Sequence, residues 1–212
     1  MKQPTPFVLS AQTAAMMMVF TLVFTSIMAG TYQATESTIA ASAEAEKLIL
    51  INAVLPADSY DNKLLQDTIK LGPTPELGLD EGGLIYRARK GGQPVAVVME
   101  AVAPDGYSGK INLIIAIKAD GSVAGVRVTL HRETPGLGDY IDPKKDKNKQ
   151  RPWITQFDGK SPASLPLERW KVKKDGGEFE YMSGATISPR AVIKAVASAV
   201  KFASEKQAKL FE

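Results

Sequence analysis

Between Gln3 and Thr35 the chain carries no charged residue, and the stretch FVLSAQTAAMMMVFTLVFTSIMAG, Phe7 to Gly30, is almost wholly apolar. About 20 helical residues cross a hydrocarbon core, so this stretch is long enough to span a membrane. It carries Gln12, Thr13, Thr21, Thr25 and Ser26, whose polar groups can bond back to their own helix or face neighbouring helices. A cleaved signal peptide would have a shorter apolar region of about 7–15 residues, a more basic start and a small-x-small cleavage site. Ser26-Ile27-Met28 and Ile27-Met28-Ala29 fit that site poorly. A buried core helix of this kind would need a larger domain around it than the chain offers. The expectation is a retained single-pass anchor. Lys2 and the amino terminus lie on its short side, whereas Glu36, Glu44 and Glu46 follow it with only Lys47 to offset them. Because the positive side stays cytoplasmic, the bulk of the chain is expected outside, in the periplasm or at the cell exterior of a bacterium.

The 212 residues suffice for one domain with a core plus an accessory segment. The formal net charge is +3, too mild to suggest nucleic acid, and no recognition motif for it is present. Basic residues cluster at Lys144–Lys149 and Lys171–Lys174; two solvated loops are the plainer reading, a docking surface the other. There is no Cys and one His, His131. That excludes disulfides, Cys-held iron–sulfur clusters, thioether-linked cofactors and a structural zinc site, so no metal ligands are assigned.

Residues Glu36–Val54 read as a helix stopped by Pro56, and Asp58–Leu71 as a second short helix ended by Gly72-Pro73. Strands follow: GLIYRARK, then Gly91-Gly92, then PVAVVMEAVAP. In KINLIIAIK, Ile111, Leu113, Ile115 and Ile117 fall on one face, and Asn112, Ile114, Ala116 and Lys118 on the other. Asp120-Gly121 marks a hairpin before GVRVTLHR. Loops dominate from Pro135 to Leu167, Trp170-Lys171-Val172 reads as a further strand, and Gly176-Gly177 turns into EFEY. In the final segment Val192, Val196, Ala199, Val200 and Ala203 share a helical stripe. The predicted class is α+β, a twisted antiparallel sheet flanked by helices. The expected order is a cytoplasmic N-terminus at 1–6, an anchor at 7–30, a helical connection at 31–85 and a globular domain at 86–212.

YMSGATISPRAV, Tyr181 to Val192, gathers small hydroxyl residues where that last helix begins. Ser188 is expected to cap and Pro189 to take the first helical position. Unpaired N–H groups and the helix dipole make such an entrance an anion site. Gly184 and Ala185 keep it clear of bulk, and Thr186 brings a hydroxyl within reach. A capping loop with no ligand has the same residues. In HRETPGLG, Thr134-Pro135 imposes an extended residue and a turn, and Gly136 and Gly138 let backbone approach a planar ligand. Glu133 is the candidate for a polar contact there. His131, alone at a strand end, reads as structural, and Trp153, Phe157 and Trp170 read as core.

SGAT followed by ISPRAV resembles the flavinylation motif of the FMN-binding domain family, and HRETPGLG is its second matching stretch. With GYSGKI (Gly106–Ile111) and the single anchor, essentially the whole chain resembles the G subunit of Rnf-type ion-translocating electron transport complexes. The C subunit of the sodium-pumping NADH:quinone reductase is a close relative of that family. The resemblance implies a covalent FMN, its phosphate esterified to Thr186, with Ser183, Gly184 and Ala185 completing the attachment loop. It implies that the loop with Thr134, Gly136 and Leu137 lies beside the isoalloxazine, that a magnesium-dependent flavin transferase forms the bond from FAD, and that the partners are integral and peripheral subunits of one complex in the bacterial inner membrane. The family places Asp where this chain has Glu180, three residues before Ser183; the carboxylate is kept, one methylene longer.

Three functions follow. One is a membrane-anchored flavoprotein subunit relaying electrons, with the flavin doing the redox chemistry and no catalytic residue on the chain itself. The resemblance implies an Rnf-type complex for it, with the sodium-pumping quinone reductase as the alternative. The second is a non-redox anchored scaffold. The third, a stand-alone reductase, lacks the G-x-G-x-x-G fingerprint for a nicotinamide.

Overall fold

The computed structural model describes residues 5–211; Lys2, on which the expected orientation leans, lies outside them. The first element is one helix, α1 (Pro6–Asn52). At 1.5 Å per residue its 47 residues extend about 70 Å, more than twice a hydrocarbon core of about 30 Å. The break expected between an anchor and a second helix is absent, because Gly30 costs only about 1 kcal/mol in a helix interior and nothing between Thr31 and Thr35 interrupts the ladder. The apolar side chains of the Phe7–Gly30 stretch are exposed, among them Phe20, Leu22, Phe24 and Ile27, as lipid contact requires. Thr13 and Thr21 within it, and Thr31 just after it, bond back to their own helix. Thr13 donates to Leu9 O, Thr21 to Met17 O and Thr31 to Ile27 O, at 2.8–3.0 Å. Those three hydroxyls therefore need no neighbouring helix.

The chain divides after Glu46 into two compact units. The second is built on a five-stranded antiparallel sheet in sequential order: β1 (Thr68–Leu71), β2 (Gly83–Lys90), β3 (Gln93–Gly106), β4 (Gly109–Lys118) and β5 (Val123–Leu130). The hairpins fall where the glycines predict. Gly91 and Gly92 (φ +57° and +78°) join β2 to β3, and Gly121 (φ +80°) joins β4 to β5. Both faces are covered. Ile111, Leu113, Ile115 and Ile117 of β4 join Val97, Met99, Ala101 and Ala103 of β3 in the main core. Over them lie Val192, Val196, Ala199, Val200 and Ala203 of α2 (Ile187–Glu205), which a short α3 (Gln207–Leu210) follows. The other face, with Tyr86, Ala88, Val98, Ile114 and Ala116, is closed by Ile51, Val54, Leu55 and Leu64.

Two expected elements differ. Residues 58–71 form no helix: a single 3-10 turn at Ala57–Ser59 leads to β1. The Asp67 carboxylate accepts from Arg87 Nε and Arg89 Nε at 2.6 and 2.8 Å, and Asn62 pairs with the backbone of Arg87 and Arg89; these contacts with β2 override local helical tendency. The connecting region is accordingly helical only to Asn52 and contains β1 and the first residues of β2. Trp170-Lys171-Val172 is not a strand either. It contributes one parallel bridge, Val172 to Phe179. The long segment around it is held by Trp153, Phe157, Trp170 and Phe179, whose ring centroids lie 4.7–6.2 Å apart in the core. Both indoles are satisfied, Trp153 by Glu180 O and Trp170 by Leu165 O.

Candidate functional site

Three separated sequence stretches meet at one carboxylate. Glu133, 4% exposed, follows β5. Its Oε1 accepts from Ser108 N in the β3–β4 turn at 3.1 Å, and its Oε2 accepts from Ser188 Oγ in the first turn of α2. GYSGKI, HRETPGLG and the start of ISPRAV are thereby tied together. Two glycines make room for this junction. A Cβ on Gly138 would sit 2.5 Å from Ser188 Oγ and 2.8 Å from Glu133 Oε2, and one on Gly106 would sit 2.9 Å from Glu133 Oε1. His131 has the structural place expected of it, accepting from Glu133 N at Nδ1 and facing Asp142 at 3.9 Å.

The entrance to α2 is shaped by a turn and a hydroxyl. Met182 O accepts from Ala185 N at 3.0 Å across a turn with Gly184 at φ +84°, a left-handed conformation that glycine takes at little cost. Tyr140, buried in the core, spans the same turn. Its hydroxyl accepts from Met182 N and donates to Ala185 O, both at 3.1 Å. Burial pushes the phenol pKa up, against the bond from Met182 N, so it stays a donor at neutral pH. Thr186 occupies the N-cap position of α2, half-buried, with no side-chain capping bond. Ser188 is not the cap: the helix begins at Ile187, and the Ser188 hydroxyl is buried and donates to Glu133. Pro189 is consequently the third helical residue rather than the first, and having no N–H it leaves Thr186, Ile187 and Ser188 as the unpartnered donors of this end.

A cleft of about 170 Å³ opens here, lined by Tyr107, Thr134, Leu137, Gly138 and Gly184–Ser188. Of the nine residues singled out from sequence, Thr134, Leu137, Gly184, Ala185, Thr186 and Ser188 line it. Ser183 is exposed on the turn beside it, the Gly136 N–H is taken up by Asp139 Oδ1, and both Glu133 oxygens are engaged within the protein. Tyr107 and Ile187 were not singled out, though each lies within a quoted motif, GYSGKI and ISPRAV; with Leu137 they leave an exposed apolar rim around Thr186. No acid, His or Lys lines the cleft. Space above Gly136 and Gly184 is open, with nothing within 4 Å of a Cβ built on either. Free N–H donors at a helix N-terminus, one hydroxyl, open backbone and an apolar rim suit an anionic group attached to a flat apolar one. Glu180 lies outside this cleft, paired with Lys173 at the surface.

Residues 106–201 match the family model of the FMN-binding domain, and residues 10–54 match that of the RnfG N-terminal region. The G subunit of the ion-translocating oxidoreductase complex of Escherichia coli (strain K12) is 45% identical over 186 residues, 88% of this chain and 87% of the relative. The protein of the same name from Vibrio atlanticus (strain LGP32) is 41% identical over 187 residues, with the same coverage of each. That from Vibrio cholerae (strain M66-2) is 41% identical over 192 residues, 91% of this chain and 89% of the relative. A long apolar N-terminal helix, an FMN-binding domain and relatives matched along nearly their whole length agree: the chain belongs to the RnfG family, the G subunits of Rnf-type ion-translocating oxidoreductase complexes.

Proposed function

We propose that this protein is the membrane-anchored flavin subunit of an Rnf-type complex and that its FMN is covalent, joined through phosphate to Thr186 Oγ1. The observation that carries the attachment site is the position of Thr186. It sits at the N-cap of α2, in a cleft with free N–H donors, inside the region matched to the FMN-binding domain. When bound, the flavin supplies the electron-transfer chemistry.

The chain's residues hold and orient it. The N–H groups of Ile187 and Ser188 face the phosphate position, aided by the helix dipole. Tyr140 fixes the turn that presents Thr186, and Glu133 fixes that turn's helix against the loop bearing Thr134 and Leu137. A cleft of about 170 Å³ is smaller than the roughly 300–1,000 Å³ of sites that enclose a ligand. The exposed Tyr107, Leu137 and Ile187 at its rim would hold a flavin ring that such a cleft is too small to enclose.

In attachment, Thr186 Oγ1 would act as the acceptor: it would take the flavin-side phosphorus of FAD as the pyrophosphate P–O bond broke and AMP left, and would give up its hydroxyl proton. Since no acid, His or Lys lines the cleft, that proton is taken by a separate magnesium-dependent flavin transferase. The charge asymmetry in the sequence around the apolar stretch supports an N-terminus in the cytoplasm and a sheet domain outside the bacterial inner membrane. There a phosphoester keeps the cofactor from being lost by dilution.

Thr186→Ala removes the only oxygen able to form the ester at this position while leaving the fold intact. The expected result is a soluble-domain circular dichroism spectrum unchanged and no flavin fluorescence on a denaturing gel. Fluorescence surviving denaturation in that variant contradicts the assignment.

A further inference from the structure

A second, larger cleft borders the same turn, on the other side from the cleft lined by Thr186. It measures about 620 Å³ and is lined by Tyr140, Asn148, Arg151, Lys160, Tyr181 and Met182, among others. Its lining meets the turn at Tyr181 and Met182, whereas that of the flavin cleft begins at Gly184. The charges in it are lopsided. Each acid is engaged: Asp146 accepts from Asn148 N and Trp153 N, Glu178 pairs with Arg169, and Glu180 with Lys173. The two cations in its lining, Arg151 and Lys160, take part in no ion pair among the described residues.

Arg151 ends the basic run KKDKNKQR, Lys144–Arg151. Lys144, Lys145 and Lys147 are exposed and equally without ion pairs among the described residues. The other basic run differs in part: Lys173 pairs with Glu180, and the neighbouring Arg169 and Arg190 pair with Glu178 and Asp175, while Lys171 and Lys174 take part in no ion pair among the described residues. The Lys144–Arg151 run is also shaped. Lys149 Nζ donates to Pro143 O and Lys144 O, Asn148 Oδ1 accepts from Arg151 N, and buried Asp146 holds both Asn148 and Trp153. A solvated tail needs none of these bonds. This segment presents uncompensated cations from a fixed loop, at the rim of a cleft that touches the acceptor turn.

We infer that the Lys144–Arg151 loop and the cleft beside it form the docking surface for the enzyme that loads Thr186, meeting an acidic face of that enzyme. The inference rests on the flavin reading above. An enzyme that places a flavin on Thr186 must grip the turn from a side the flavin does not finally occupy, and Tyr181 and Met182 offer that side. Complementary charge acts through encounter rate and falls with ionic strength.

The test uses the purified full-length chain in detergent, purified flavin transferase, FAD and magnesium, with the rate of labelling read by flavin fluorescence. In Lys144→Glu/Lys145→Glu/Lys147→Glu, kcat/KM for the acceptor is expected to drop about tenfold or more at low salt, through KM. The difference closes near 0.5 M salt, where the screening length is about 4 Å. Lys70→Glu/Lys118→Glu/Lys209→Glu, with the same change in net charge elsewhere on the surface, is expected to load as the parent does. Equal loading by the first variant at low salt overturns the proposal, and so does an equal loss in the second. Unchanged loading with a new salt dependence of electron transfer in the intact complex assigns the surface to a redox partner and also overturns it. If the parent chain takes no label on Thr186, the flavin reading itself fails and this surface with it.

Discussion

At the scale of single residues, the site depends on three that carry no chemistry of their own. Glu133 ties three chain segments through its carboxylate, Gly138 leaves room for that junction, and Tyr140 bridges the acceptor turn. Gly138→Ala pushes a methyl against Ser188 Oγ and Glu133; overpacking of this kind costs about 1–3 kcal/mol, read as a lowered denaturation midpoint with slower flavin loading. Tyr140→Phe leaves Met182 N–H and Ala185 C=O without their partner, a loss of about 1–3 kcal/mol. Because the phenyl ring still fills the core, thermal denaturation should shift modestly while the loading rate falls more, and an unchanged loading rate would contradict the role given to the hydroxyl. Thr186, Gly184 and Thr134 were legible as sequence because each has a local reason to be where it is: a helix entrance, a left-handed turn, a residue before proline. Ser188 was misread as the cap for the same reason. Its hydroxyl answers to Glu133, 55 residues away, and local spacing holds no record of that partner. Tyr140 escaped notice likewise, since its two bonds cross more than 40 residues.

Among the elements, the hairpins and the two faces of β4 follow from alternation and glycine, which are local signals. The segment 58–71 does not. Its charged and polar residues answer to β2, with Asp67 held between Arg87 and Arg89. Burial alone would raise the Asp67 pKa, but the hydrogen bonds from Arg89 and Arg87 outweigh it and hold the carboxyl below its usual value. A depressed folded pKa means stability that is full above the unfolded value, about 3.9, and is lost as pH falls through the folded one. Thermal denaturation followed from pH 6 downward should therefore show the parent losing stability below about pH 4. Asp67→Asn, already lacking the charge, should show a shallower fall; parallel curves would remove β1 pairing from the account. The stripe on α2 and the Phe7–Gly30 stretch were legible because their apolar residues are set by what they face, the sheet in one case and lipid in the other.

For the whole molecule, the boundary of the folded unit lies at Lys47 rather than in the strand region, because the end of α1 supplies Ile51 and the turn after it Val54 and Leu55 to close one face of the sheet. A fragment 47–212 should be soluble and cooperatively folded, whereas 61–212 should aggregate, having lost those residues and exposed Tyr86, Val98 and Ile114. Sedimentation of the two fragments decides this, and equal behaviour would remove the role given to the end of α1. The broader account joins an anchor, a sheet domain and a threonine presented at a helix entrance, and its central claim is the bond at that threonine. The most direct measurement is mass spectrometry of the Thr186 peptide from full-length protein produced beside its flavin transferase, with flavin fluorescence on a denaturing gel as companion. The account predicts a fluorescent band and one FMN phosphoester on Thr186. An unmodified Thr186 peptide and a dark band, with the transferase present, would contradict it.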